Sequence, residues 1–161
     1  MSQLVDRSRS PAAGAAFGRT RARPVLLATL AVRVDPTAER MALESALEAG
    51  VKLILANLSL LPPYPATIIL AREYATLPHE EDLDAVRATA ARAAELGIAT
   101  ELLRVSSPRP VKALLELAQE TDAGLLVFGP DLARTPRRRF RKAARVVRRD
   151  APCLVWVAPD G

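Results

Sequence analysis

The chain has 161 residues, half of them apolar, which is room for a single hydrophobic core and one globular domain. Cys153 is the only cysteine, so an intrachain disulfide and a multi-thiolate metal site are excluded, and no apolar run approaches the roughly 20 residues of a membrane-spanning helix. The net charge of +5 is unevenly spread: residues 1–23 carry five arginines against Asp6, residues 24–133 hold nine basic against fifteen acidic residues, and residues 134–149 hold nine basic residues and no acid.

Residues 1–23, rich in Ser, Ala, Gly and Arg and without a sustained apolar period, are expected to form a disordered basic tail. An Arg-rich, acid-poor N-terminus also fits an organelle transit segment, although it carries no clear amphipathic helix. With no secretory h-region and a lone thiol, the expected compartment is the cytoplasm. The domain is expected over residues 24–158.

From Pro24 onward, continuous apolar runs alternate with helical periods, the pattern of a parallel sheet covered on both faces by helices. The predicted strands are Val25–Val32, Val51–Leu58, Ala99–Val105, Leu125–Phe128 and Leu154–Val157. Between the first two, Asp35-Pro36 opens a helix in which Ala38, Met41, Ala42, Ala46 and Leu47 recur at helical spacing until Gly50. Glu80–Leu96 repeats the pattern through Leu83, Val86, Ala90, Ala93 and Ala94, with Gly97 as its C-terminal cap. Ser107-Pro108 is predicted to open a third helix whose apolar set includes Val111, Leu114, Leu115 and Ala118. Residues 59–78 are interrupted by Leu61-Pro62-Pro63-Tyr64-Pro65, and 67–74 read as a short helix or a lid over the sheet edge.

Thr135-Pro136 is predicted to start the last helix. At about 100° per residue, Phe140, Ala143, Ala144 and Val147 share one side, while Arg138, Arg141, Lys142, Arg145, Arg148 and Arg149 crowd the other. Arg137, Arg138 and Arg139 fall in the first turn, where the helix dipole opposes each cation by a few tenths to about 1 kcal/mol. The face reads in three ways: a solvated charge run, a set of guanidiniums gripping phosphate, or a polyanion-binding surface acting with the basic tail on nucleic acid or an anionic membrane. Phe140 is the helix's only aromatic and lies on its apolar side, so base stacking has no support.

Four segments, in this order and spacing, resemble the universal stress protein family: the opening Val-Leu-Leu-Ala strand, Ala-Leu-Glu-Ser-Ala-Leu at 42–47, Thr-Asp-Ala-Gly-Leu-Leu-Val-Phe-Gly at 121–129, and Ala-Arg-Val-Val-Arg-Arg-Asp-Ala-Pro-Cys-Leu-Val-Trp-Val at 144–157. The resemblance implies an α/β fold: a single-domain, Rossmann-like three-layer sandwich of the adenine nucleotide alpha hydrolase-like type. Its five-stranded parallel sheet is ordered 3-2-1-4-5 and frequently dimerises along the last strand, which would bring Val155 or Trp156 to a partner copy.

Many members of that family bind ATP through an Asp at the end of the first strand and a Gly-x2-Gly-x9-Gly-Ser/Thr loop. Here the Asp slot falls at about Leu30. Gly129 matches the first glycine, but the second is Leu132, and the Gly-Ser pair falls on Lys142-Ala143 or Arg141-Lys142 depending on the end counted from. Glycines let backbone N–H groups approach a phosphate closely, and a Cβ at each position blocks that approach.

The expected function is therefore a stress-response binding or regulatory module, with no catalytic or metal residues assigned and no cofactor unless ATP or AMP binds. The alternative is a nucleotide or phosphorylated-ligand binder using Gly129, Arg134, Arg141 and Lys142, and weak ATP hydrolysis stays open. A ligand site would keep Gly129 open and gather the arginines; an interaction module would splay them and fill the adenine slot with Leu30.

His79, the only histidine, has neither a second histidine nor a thiolate beside it and reads as the start of an acidic helix. Cys153 reads as a small buried hydrophobe with no base near it, and Ser106-Ser107 as a helix cap.

Overall fold

The computed structural model describes residues 22–61 and 79–158. The expectations for residues 1–21 and for the helix or lid at 67–74 lie outside the described residues.

Five strands form one parallel sheet in the order β3-β2-β1-β4-β5: β1 Val25–Thr29, β2 Leu53–Leu60, β3 Thr100–Ser107, β4 Leu125–Phe128 and β5 Leu154–Val157. Among the described residues, four helices lie between them, α1 Pro36–Ala49, α2 Glu80–Glu95, α3 Pro110–Glu120 and α4 Arg137–Asp150. Alternate strand residues feed two cores. Leu26, Ala28, Ile54, Leu58, Leu126 and Phe128 pack with Leu114 and Ala118 of α3 and with Phe140, Ala144 and Val147 of α4. Val25, Leu27, Leu53, Leu55 and Val127 pack with Ala38, Ala42 and Ala46 of α1 and with Val86 and Ala93 of α2. Because both faces of the central strands are covered, those strands read as unbroken apolar runs.

The helix signals act largely as their chemistry dictates. The Asp35 carboxylate accepts from the Thr37 and Ala38 N–H groups, and Gly50 closes α1 in the left-handed region at φ 63°. Several boundaries differ from the sequence expectation. β1 stops at Thr29, because the Thr29 hydroxyl donates to the Val32 carbonyl at 2.7 Å and Ala31 turns to φ 54°, so Leu30–Val32 belong to a loop. β2 starts two residues late, since the Val51 N–H is used to return to the Ala46 carbonyl of α1. β3 continues through Ser107 by pairing with the end of β2, so the third helix opens at Pro110, and the Ser107 hydroxyl accepts from the Arg109 N–H. α4 begins at Arg137 with Pro136 at its cap. Thr135 does not cap it: its hydroxyl is buried, with no hydrogen-bond partner among the described residues.

Candidate functional site

In a parallel α/β sheet, ligands bind beyond the carboxyl ends of the strands, where neighbouring strands lead to helices on opposite faces. Here that point lies between β1 and β4, with α1 and α2 on one face and α3 and α4 on the other. Two loops meet there, Leu30–Asp35 after β1 and Gly129–Pro136 after β4.

The loops are stitched together by their backbones. The Asp35 N–H donates to the Gly129 carbonyl at 2.9 Å, the Asp131 N–H donates to the Arg33 carbonyl at 3.0 Å, and Val34 bridges Pro130. The Gly129 N–H donates to Ala28, the Ala133 N–H to the Asp131 carboxylate, and the Arg134 N–H to the Asp131 carbonyl. Pro130 has no N–H to offer. The backbone donors at 129, 131, 133 and 134 are all engaged within the protein, so they are not free to cradle an anion.

Gly129 itself is buried, and a Cβ there would collide with the Ala38 methyl of α1. The close approach of the first turn of α1 to the end of β4 is what requires glycine at this position.

Arg134, predicted from sequence as a phosphate ligand, is held by a carboxylate of the protein. Its Nε lies 3.1 Å from Oδ1 of Asp82, which is 1% exposed, and its Nη1 lies 3.7 Å from Glu81. The same Asp82 oxygen accepts from the Arg33 N–H at 3.1 Å, and Arg33 Nε reaches Asp131 at 2.7 Å. Asp82 Oδ2 is buried without a partner among the described residues. Asp82, Arg33 and Asp131 were not singled out from sequence. A signal for Asp82 was present: it shares the inward stripe of α2 with Val86, Thr89 and Ala93, all buried, at helical spacing.

On the other face, a crevice of about 230 Å³ opens at the ends of β1 and β2. Leu30, Leu60, Pro110, Val111, Ala143 and Val146 make its walls, and Arg139 and Lys142 contribute its cations. Lys142 thus lines the same crevice as Leu30. Arg141 sits about 100° away around α4, beside a groove lined by Phe140, Ala144, Arg145, Arg148 and Arg149. The four predicted ligand residues do not converge: Gly129 is buried against Ala38, Arg134 is paired, and Arg141 and Lys142 line different grooves.

α4 is anchored by its apolar side, where Phe140 stacks on Phe128 with ring centroids 6.0 Å apart. Its first turn holds no acid and no side-chain cap. Burial pushes the Cys153 thiol up from its ordinary value, against smaller opposing pulls from Arg23 and a Leu126 backbone hydrogen bond, which makes it a poor nucleophile. Ser106 shares a hydrogen bond with Ser59 at 2.8 Å. His79 is exposed at the cap of α2 and makes no side-chain cap bond. Among the described residues, no three His, Cys, Asp or Glu side chains gather as a metal site, and no helix is long and apolar enough to cross a membrane.

The model of the universal stress protein family matches residues 22–159. Comparison with curated proteins finds no significant match. Among solved structures, a universal stress protein family member from Burkholderia pseudomallei is 24% identical with a TM-score of 0.59, covering 87% of this chain and 98% of its own. Universal stress protein UspA from Lactobacillus plantarum is 18% identical with a TM-score of 0.64, covering 86% and 98%. The universal stress protein from Archaeoglobus fulgidus in complex with dAMP is 22% identical with a TM-score of 0.54, covering 84% and 96%. At these identities the structural likeness establishes the fold, and the match of the family model across nearly the whole chain establishes descent: the chain belongs to the universal stress protein family.

Proposed function

We propose that this chain is a cytoplasmic stress-response binding and regulatory module, not an enzyme, that does not hold ATP through a glycine loop. The observation that carries this reading is the stitched junction. The N–H groups of residues 129, 131, 133 and 134 are bonded internally, and Ala38 leaves no room for a side chain at Gly129. Binding by such a module runs through protein contacts. One contact is a second copy along β5, an edge strand that pairs only with β4 among the described residues and leaves Leu154 75% exposed.

A second reading is favoured by the crevice and by structural neighbours crystallised with cAMP, dAMP and AMP. A small phosphorylated ligand would set its apolar part against Leu30, Leu60 and Val111 and its anion on Arg139 and Lys142. No carboxylate stands at Leu30 to read a ribose hydroxyl, so nucleoside selectivity would be weak.

Calorimetric titration of the full chain with ATP and AMP at low and physiological salt separates the readings. The first predicts no saturable heat at physiological salt. Saturable heat that survives salt and disappears in Arg139→Gln/Lys142→Gln would establish the second and overturn the first.

A further inference from the structure

We propose that the solvent face of α4 is a sequence-blind docking surface for the phosphodiester backbone of nucleic acid. This inference shares Lys142 with the crevice but rests on the row along α4, and its test leaves Lys142 in place. Elsewhere among the described residues most cations have acidic partners: Arg23 with Asp122, Arg33 with Asp131, Lys52 with Glu101, Arg87 with Glu80 and Asp84, Arg92 with Glu39, Lys112 with Glu116 and Arg134 with Asp82. On α4, only Arg149 has one among the described residues, its neighbour Asp150. Arg137, Arg138, Arg139, Arg141, Lys142, Arg145 and Arg148 are exposed and form no salt bridge with the described residues.

Geometry makes this a row and not a scatter. Arg138, Lys142, Arg145 and Arg149 fall within about 60° on the helix and span about 16 Å. Arg141 and Arg148 flank them over a groove of about 450 Å³ floored by Phe140 and Ala144. Cations at i and i+4 sit close enough to repel one another, and those in the first turn also oppose the helix dipole. An external row of anions relieves both.

Charge complementarity selects the occupant. One strand of a duplex advances about 3.4 Å per phosphate, so the row faces four or five phosphates. Guanidinium forks take phosphate oxygens in pairs. An acidic protein partner would be specified by apolar or aromatic anchors among the charges, and a bilayer by apolar side chains that insert. This face projects neither, because its apolar side chains Phe140 and Ala144 are 4% exposed and reach only the floor of the groove, while Ala143 and Val147 are buried against the sheet.

The test is fluorescence anisotropy of a labelled 20-base-pair duplex of arbitrary sequence with the full chain, from 50 to 300 mM salt. Binding should weaken linearly in log–log form with a slope of about −4, independent of sequence. Arg138→Gln/Arg145→Gln/Arg148→Gln should flatten the slope by about 3 and weaken binding at least about tenfold at 50 mM salt. Arg40→Gln/Arg104→Gln/Arg109→Gln, on other surfaces, should bind as the native chain does. The proposal is overturned by any of four results: no saturable signal at 50 mM salt, equal loss in both triple variants, retention in the helix variant with loss on Arg7→Gln/Arg9→Gln/Arg19→Gln/Arg21→Gln, or displacement of the duplex by polyglutamate as effective as by unlabelled duplex. Binding to phosphatidylserine vesicles without binding to duplex would also overturn it, in favour of a membrane.

Discussion

Arg134 and Arg138 lie four residues apart in the chain and in opposite electrostatic surroundings. Arg134 belongs to the loop junction, where a buried carboxylate, two loop backbones and a second ion pair engage one another. Arg138 belongs to the outer face of α4, where cations crowd one another and no acid precedes Asp150. The junction uses its polar groups to join α2 to the loops after β1 and β4. The helix face leaves its charges to solvent and draws its stability from the apolar side alone. A guanidinium is therefore structural at one position and available for binding at the other.

The largest effect expected on this contrast is at the junction. Gly129→Val forces a side chain into the Ala38 methyl and should cost about 3 kcal/mol in urea unfolding; Ala38→Gly should recover part of it. A smaller loss is expected from Asp82→Ala. It strips Arg134, whose side chain is 27% exposed, of its buried partner and leaves the Arg33 N–H unbonded, at about 2 kcal/mol. If Asp82→Ala proved neutral, the junction would be no more structural than the helix face.

On α4 the sign should reverse. Arg137→Glu places an anion on the uncapped first turn and opposite Arg141 one turn later, which should raise stability by about 0.5–1 kcal/mol in the same assay. A loss there would mean that the arginines hold a contact within the folded chain.

The smallest effect is at Cys153. Its folded-state thiol titrates above the ordinary range, so its contribution is present below that range and is lost as pH rises through the folded value. Melting curves should therefore decline slightly more in alkali for the native chain than for Cys153→Ser, and alkylation at pH 8 should be slower than for a free thiol peptide.

Much of the fold was legible in particular residues. Asp35-Pro36 and Gly50 bounded α1 because capping is local chemistry, and Leu125–Phe128 and Leu154–Val157 matched β4 and β5 to the residue. β1 overran because Leu30–Val32 are as apolar as the strand, while the turn at Ala31 depends on a hydroxyl bond that hydropathy does not register. The site was less legible. Leu30, expected to fill a ligand slot, lines the crevice at the ends of β1 and β2, and Gly129, matched to the first glycine of a phosphate loop, is constrained by the nearby Ala38 methyl, a contact no local pattern announces. Asp82 was hidden in the run Glu80-Glu81-Asp82, which reads as a solvated helix start.

By itself, the sequence determined the alternation of buried strands and helices and the two-sided character of α4, because both follow from side-chain order over one or two helical turns or one strand. Only the tertiary structure decided that Asp82 is buried, that Arg134 is paired, and that the N–H groups of residues 129, 131, 133 and 134 are engaged. Those outcomes depend on residues such as Arg33 and Asp131, 98 positions apart, meeting at the head of one sheet, and no local pattern in either segment encodes that meeting.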